Sequence, residues 1–231
     1  IFYSPSFETY KYPFKKNHLL LYPSHIPHEV KSLKTNESRL IIAFNTRKIK
    51  KMKIENAIIS YNKILSERFC DKCIEYAEKV CVDRLSTLDN NKEYRRVFGR
   101  TLSQQTISDQ IYFKKVYDEV FNFYQQYKIV FPQVAATKLT QVDFLKYTPG
   151  GQYLFHTDDM NSSPRALSII MNLNEDYEGG NVVFGNQNLQ EIKRVQLKKG
   201  SLLAFPSNFL YPHMIEPITK GTRYSIVAWL S

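Results

Sequence analysis

Long apolar runs are missing from this 231-residue chain. No stretch approaches the roughly 18 to 20 apolar residues of a membrane-spanning helix, and the opening IFYSPSFETYKYPFKK has neither the basic nor the apolar region of a secretory signal. Both absences predict a cytoplasmic or otherwise intracellular protein with no membrane partner. Cysteine is scarce too: Cys70, Cys73 and Cys81 form an odd set in one short stretch, which argues against a secreted disulfide framework and for a reducing compartment. No second CxxC or nearby His completes a zinc tetrad. The spacing of SERFCDKCIEYAEKV instead predicts an amphipathic helix with Cys73, Ile74 and Ala77 on its apolar side, so these cysteines read as structural. Glycine numbers only 8, and no glycine-rich phosphate loop, GxSxG elbow or HExxH is present.

What is present excludes disorder, collagen and fibre. The chain is 43% hydrophobic, 14% aromatic and 23% charged, and its length allows one large domain, or one of about 150 to 200 residues with an appendage. The formal charge of +10 is unevenly spread: residues 1–56 carry 11 Lys/Arg against 4 Asp/Glu, and residues 57–231 carry 21 against 18. The run Arg47, Lys48, Lys50, Lys51, Lys53 could touch nucleic acid or an acidic partner, but it reads as a basic linker between folded units.

From Ile54 to about Val130 the pattern is mostly helical. Ser66 is placed as an N-cap before the cysteine-bearing helix, and Ile111, Phe113, Val116, Tyr117, Val120, Phe121, Tyr124 and Tyr127 recur at three-and-four spacing in a longer one. After Pro132 the texture changes to short β-rich runs separated by turn signals: LTQVDFLKY, QYLFH, RALSIIMNL, NVVFG, SLLAF, YPHMIEP and TRYSIVAWL. That density of strands predicts a mainly β, α+β fold, a sandwich or jelly roll behind N-terminal helices. One internal similarity stands out. HLLLYPSHIPHEV followed by TNESRLIIAFN resembles SLLAFPSNFLYPHMIEP followed by TKGTRYSIVAW; His28 and Arg39 are eleven apart in the first copy, His213 and Arg223 ten apart in the second.

His156 and Asp158 end the strand QYLFH, and residues i and i+2 of an extended chain point to one face. An imidazole and a carboxylate can then reach one metal ion, whereas a surface His beside a turn Asp would need no metal. His213, on another predicted strand, supplies a second imidazole. Two His and one carboxylate leave a whole face of an octahedron open, the arrangement of non-haem Fe(II) oxygenases; catalytic zinc usually leaves one open position. Arg223 opens the final strand. It is either an exposed strand-edge residue or a buried guanidinium that needs a carboxylate, such as the distal one of 2-oxoglutarate.

In order and spacing, residues from about 54 to 231 resemble the 2-oxoglutarate- and Fe(II)-dependent dioxygenases, particularly the prolyl 4-hydroxylase-like group. The landmarks are ILSERFCDKCIEYAE, FLKYTPGGQYLFHTDD, RALSIIMNLNEDYEGGNVVF, KKGSLLAFPS and HMIEPITKGTRYSIVAWL. The resemblance implies a double-stranded β-helix of jelly-roll or cupin type. It implies iron on His156, Asp158 and His213, and the 2-oxoglutarate C5 carboxylate on Arg223 with Tyr147 as hydrogen-bonding partner. Ser168 stands where the family has a small hydroxyl residue lining the pocket. Dioxygen is the other co-substrate; ascorbate use is a family habit that no residue here encodes. A peptidyl proline or another protein side chain is the implied substrate, and Arg95 and Arg96, in the segment NNKEYRRVFGR, are candidates for holding it as part of a flexible cover.

Two departures matter. Collagen-type prolyl hydroxylases usually place Lys where Arg223 stands, which points toward the Arg-bearing microbial and phage branches and leaves substrate identity open. AlkB-type nucleic-acid demethylases carry a second Arg where this chain has Trp229, so nucleic acid is not the expected substrate. Residues 1–53 look like the C-terminal remnant of a preceding oxygenase-like β-domain followed by the basic linker, and 54–231 like the catalytic domain. The competing expectation is a non-catalytic jelly-roll binding or structural module of a larger assembly protein, such as one of a phage.

Overall fold

The computed structural model describes residues 2–3, 9–10, 53–85, 93–103, 105–159 and 164–231. The chain divides into two compact units, Ile1–Met52 and Lys53–Ser231. In the first unit the description covers one antiparallel pair, β1 (Phe2–Tyr3) with β2 (Thr9–Tyr10). His28, Arg39 and the basic residues from Arg47 to Lys51 lie outside the described residues.

The second unit is mainly β. Strands β3 (Ile59–Tyr61), β5 (Phe98–Thr101), β6 (Leu139–Tyr147), β8 (Leu167–Asn172), β12 (Leu202–Pro206) and β15 (Arg223–Leu230) form a six-stranded antiparallel sheet in the order β3-β12-β8-β15-β6-β5. Strands β4 (Arg95–Arg96), β7 (Gln152–His156), β10 (Val182–Gly185), β11 (Glu191–Val195) and β13 (His213–Ile215) form a five-stranded sheet in the order β11-β10-β13-β7-β4. A further pair joins β9 (Glu178–Gly179) to β14 (Ile218–Lys220). The two sheets enclose a jelly-roll core of double-stranded β-helix type, and helices α1 (Glu67–Val80) and α2 (Ile107–Val130) pack on the outer face of the larger sheet.

The alternation of side chains along a strand sorts the central strands into two cores. On β8, Leu167, Ile169 and Met171 join the helices, while Ile170 faces the other sheet; on β15, Ile226, Ala228 and Leu230 join the helices, while Val227 and Trp229 face inward. Strands β6 and β12 divide the same way, with Phe144 and Ala204 outward and Leu145, Tyr147, Leu203 and Phe205 inward. Because both faces are covered, the central strands are apolar nearly throughout, and a fully buried side chain such as Ile169 contributes about 1.5–3 kcal/mol. A one-residue slip of β15 would exchange the two cores.

The helices begin where capping residues stand. Ser66 Oγ accepts from Phe69 N at 3.2 Å at the start of α1, and Thr106 Oγ1 accepts from Asp109 N at 3.1 Å at the start of α2. Cys70, Cys73, Tyr76 and Ala77 form the buried face of α1. All three cysteines are free and buried, and burial pushes the thiols of Cys70 and Cys81 up to about 11 and about 12, in keeping with a structural role. On α2 the expected face is corrected: Val116, Val120, Tyr124 and Tyr127 are buried together with Phe123, but Ile111, Tyr117 and Phe121 are exposed. The span expected to be mostly helical also contains β3, β4 and β5, each an added edge or outer strand of a sheet. No helix among the described residues is long and apolar enough to cross a membrane.

Candidate metal centre and the cavity beside it

Strands β7 and β13 run antiparallel with His156 and His213 as direct register partners. Their ring centroids are 4.3 Å apart. Asp158, two residues beyond His156, turns its carboxylate between them: Oδ1 lies 3.6 Å from His156 Nε2 and Oδ2 lies 3.6 Å from His213 Nε2. The three ligating atoms fall within 4.8 Å of one another.

The tautomers follow from the backbone. His156 Nδ1 is 2.8 Å from the carbonyl oxygen of Leu154, and His213 Nδ1 is 3.1 Å from that of Tyr211. A carbonyl only accepts, so each Nδ1 carries a proton, and Nε2 is the nitrogen that each ring turns to the shared point. Burial, reinforced by the His156 imidazole, holds His213 down at about 4 and its ring neutral near pH 7. Burial alone would raise the Asp158 carboxyl, but His213, His156 and the Ser168 hydroxyl together hold it well below the usual carboxylate range. Two imidazoles and one carboxylate are a donor set that fits Fe(II) with three adjacent positions open.

The cluster borders a narrow cleft whose lining includes Arg95, Tyr147, Tyr153, Arg223, Ser225 and Trp229. Arg223 is 1% exposed, and its Nε and Nη2 have no hydrogen-bond partner among the described residues. Tyr147, its register partner on β6, lies beneath it. Burial pushes the Tyr147 phenol up while Arg223 and Arg95 pull the other way. Ser225 Oγ and Trp229 Nε1, on the same face of β15, are likewise buried without a partner. A desolvated guanidinium without a counter-ion is costly; a dicarboxylate with one end at the metal point and the other at Arg223 would satisfy it. Gly180, at φ 64°, makes room for this arrangement, since a Cβ there would sit 2.4 Å from Ile218 Cδ1 and 3.1 Å from Arg223 Cδ.

Of the residues singled out in the sequence, His156, Asp158, His213, Arg223 and Tyr147 meet at this cleft, and Ser168 donates to Asp158 Oδ2 at 2.6 Å. Arg95 also lines it, with its guanidinium carbon 4.7 Å from the centre of the Tyr153 ring, which stacks on His156. Arg96 does not: its side chain pairs with Glu93 at 3.6 Å. Both arginines form edge strand β4 against β7, where loop cover was expected; backbone pairing with Tyr153 and Gln152 holds them there.

Three residues escaped the sequence reading. Arg165 stacks 3.9 Å from the Trp229 ring centre, donates from Nη1 to the Asp158 carbonyl at 3.1 Å and from Nη2 to Gln141 Oε1 at 2.8 Å. Ser207 hydrogen-bonds Ser168. Ser225 lies two residues after Arg223 on an alternating strand, a spacing that could have found it.

Residues 142–231 match the family model of the 2OG-Fe(II) oxygenase superfamily. A PKHD-type hydroxylase of Picosynechococcus sp. is 37% identical over 91 residues, covering 38% of this chain and 40% of that protein. One of Idiomarina loihiensis is 30% identical over 110 residues, covering 46% and 49%. The chain thus spans less than half the length of these curated relatives. Among solved structures, a prolyl hydroxylase from Trichoplax adhaerens, in complex with a hypoxia-inducible-factor peptide fragment, superposes with TM-score 0.63 at 18% identity, covering 76% of this chain and 83% of that one. A prolyl-4-hydroxylase of Pseudomonas putida gives 0.57 at 17% identity, covering 75% and 91%. Over residues 142–231 the chain is thus similar to the 2OG-Fe(II) oxygenases, and it shares the jelly-roll fold of the two solved prolyl hydroxylases.

Proposed function

We propose that this chain is an Fe(II)- and 2-oxoglutarate-dependent dioxygenase that hydroxylates a C–H bond, with a peptidyl proline or another protein side chain as substrate and succinate and CO2 as co-products. His156 and His213 would hold the iron through Nε2, and Asp158 through its carboxylate. Bound iron would supply dioxygen activation coupled to oxidative decarboxylation of 2-oxoglutarate. Arg223 would take the C5 carboxylate, with the Tyr147 and Ser225 hydroxyls beside it, and the apolar walls from Ile170, Ile215 and Val227 would exclude water from the reacting end. Arg95 stands at the same cleft, where it can orient a carbonyl or carboxylate of the substrate.

The observation that carries this reading is the buried guanidinium of Arg223, whose Nε and Nη2 lack a partner among the described residues, in one cleft with three converging ligand atoms. A non-catalytic jelly-roll module gains nothing from a desolvated charge and two bare imidazole nitrogens, and so is disfavoured. The hydroxylase reading is supported by the PKHD-type hydroxylase relatives, and a peptide or protein substrate by the peptide-bound neighbour.

The test is an anaerobic titration of the protein with Fe(II) and 2-oxoglutarate. A weak visible charge-transfer band should appear with wild type and be absent from His156→Ala; a folded wild type that gives no band overturns the proposal. Succinate release in the presence of proline-containing peptides, compared with free amino acids and nucleic acids, then decides the substrate class.

A further inference from the structure

The Asp158 carboxylate is held by a one-directional chain of hydroxyls. Ser168 Oγ lies 2.6 Å from Asp158 Oδ2 and 2.8 Å from Ser207 Oγ. An ionised carboxylate only accepts, so the single Ser168 proton is committed to Asp158, and Ser207 must donate to Ser168. All three residues are buried, Ser168 at 0% and Ser207 at 1% exposure, so water does not compete for these bonds. Ser207 also ties two segments together through its backbone: its carbonyl accepts from Asp159 N at 3.0 Å, and its N–H donates to the Ala166 carbonyl at 3.2 Å. The end of β12 is thereby fastened to the turn that carries Asp158.

We infer that Ser207, acting through Ser168, is a positioning residue that sets Asp158 as a one-oxygen metal ligand before any metal arrives. This rests on the proposed Fe(II) site and adds to it the means by which the carboxylate is aimed. The hydroxyl chain occupies Oδ2 and leaves Oδ1 free, and a preset rotamer spares the carboxylate's ordering cost on binding. Without the chain, Asp158 can swing or bind through both oxygens, taking up a position that the two small co-substrates need.

The readout is affinity for Mn(II), followed by electron paramagnetic resonance on the full chain without 2-oxoglutarate. Ser168→Ala and Ser207→Ala should each weaken Mn(II) binding about 10-fold or more, the usual range for such outer partners. Because Ser207 acts through Ser168, the double variant should bind no more weakly than Ser168→Ala alone. Ser207→Cys, which fills the same space with a feeble donor, should behave as Ser207→Ala and serves if the alanine variant folds poorly. Wild-type affinity in both Ser207 variants, or losses that add in the double variant, would overturn the inference and leave Ser207 a packing residue. A wild type that binds no Mn(II) at all would instead count against the metal site itself.

Discussion

Arg223 and Tyr147 face each other across the β15–β6 register, with the guanidinium carbon 5.4 Å from the centre of the phenol ring. The ring shields one face of the cation but cannot neutralise it, and on the proposed reading Arg223 is a charge buried for a ligand rather than for the fold. Arg223→Met should therefore leave the ligand-free protein at least as stable, by ~0–2 kcal/mol, because an apolar chain of similar volume replaces an unpaired ion. The same variant should lose at least ~30-fold in 2-oxoglutarate affinity, since a buried carboxylate then lacks its partner, a loss of about 2 kcal/mol or more. Thermal melting and 2-oxoglutarate titration of one preparation measure both. A clear drop in melting temperature would mean that Arg223 is structural.

Trp229 is the only tryptophan in the chain, and it lines the cleft beneath the Arg165 guanidinium. Its fluorescence is thus a reporter built into the site. Adding 2-oxoglutarate with Mn(II) should change the emission, and Arg165→Ala should shift it to longer wavelength as solvent reaches the indole. Removing the stacked cation should also cost about 1–2 kcal/mol in stability. Unchanged emission in Arg165→Ala would show that the stack does not persist in solution.

Two glycines with positive φ allow a matched comparison. Gly150, at φ 78°, has open space where a Cβ would be built, whereas Gly180, at φ 64°, would press on Ile218 and Arg223. Gly150→Ala should cost only the backbone strain, ~1 kcal/mol. Gly180→Ala should cost more and weaken 2-oxoglutarate binding, because the Arg223 side chain must shift. Equal effects of the two substitutions on 2-oxoglutarate affinity would rule out this role for the Gly180 turn.

Much of this site was readable because strand periodicity carries it. LTQVDFLKY and QYLFH coincide with β6 and β7, and the i,i+2 spacing that brings His156 and Asp158 to one point is a local property. Strand β11 was not readable: EIKRV lies at a sheet edge with Glu191 and Arg194 exposed, so no apolar alternation marks it. Strand β4 is held by backbone pairing of two arginines, which leaves a sequence that looks like a loop. On α2, apolar and aromatic residues occur all round the helix, so spacing alone could not separate buried Phe123 from exposed Phe121. Arg165 and Ser207 take their meaning from residues distant in sequence, Trp229 and Ser168, and only the closed fold brings those pairs together.

Away from the cleft, Asp109 links α2 to α1 and to the β5 end of the larger sheet. Its carboxylate accepts from the Tyr76 hydroxyl, from Ser103 N at 3.0 Å, from Ser103 Oγ at 2.9 Å and from Arg100 Nη2 at 3.2 Å. Burial alone would raise this carboxyl, yet these donors outweigh it and lower it from 3.8 to about 2. A carboxyl depressed on folding stabilises the native state fully above its unfolded value and loses that contribution as pH falls through its folded value. Stability should therefore drop by on the order of 2 kcal/mol between about pH 4 and pH 2 from this group. Asp109→Asn should remove that part of the acid sensitivity while lowering stability at pH 7, because an amide cannot accept from all four donors. Urea melts of both proteins across that pH range measure the difference, and parallel profiles would show that Asp109 does not anchor the helices in this way.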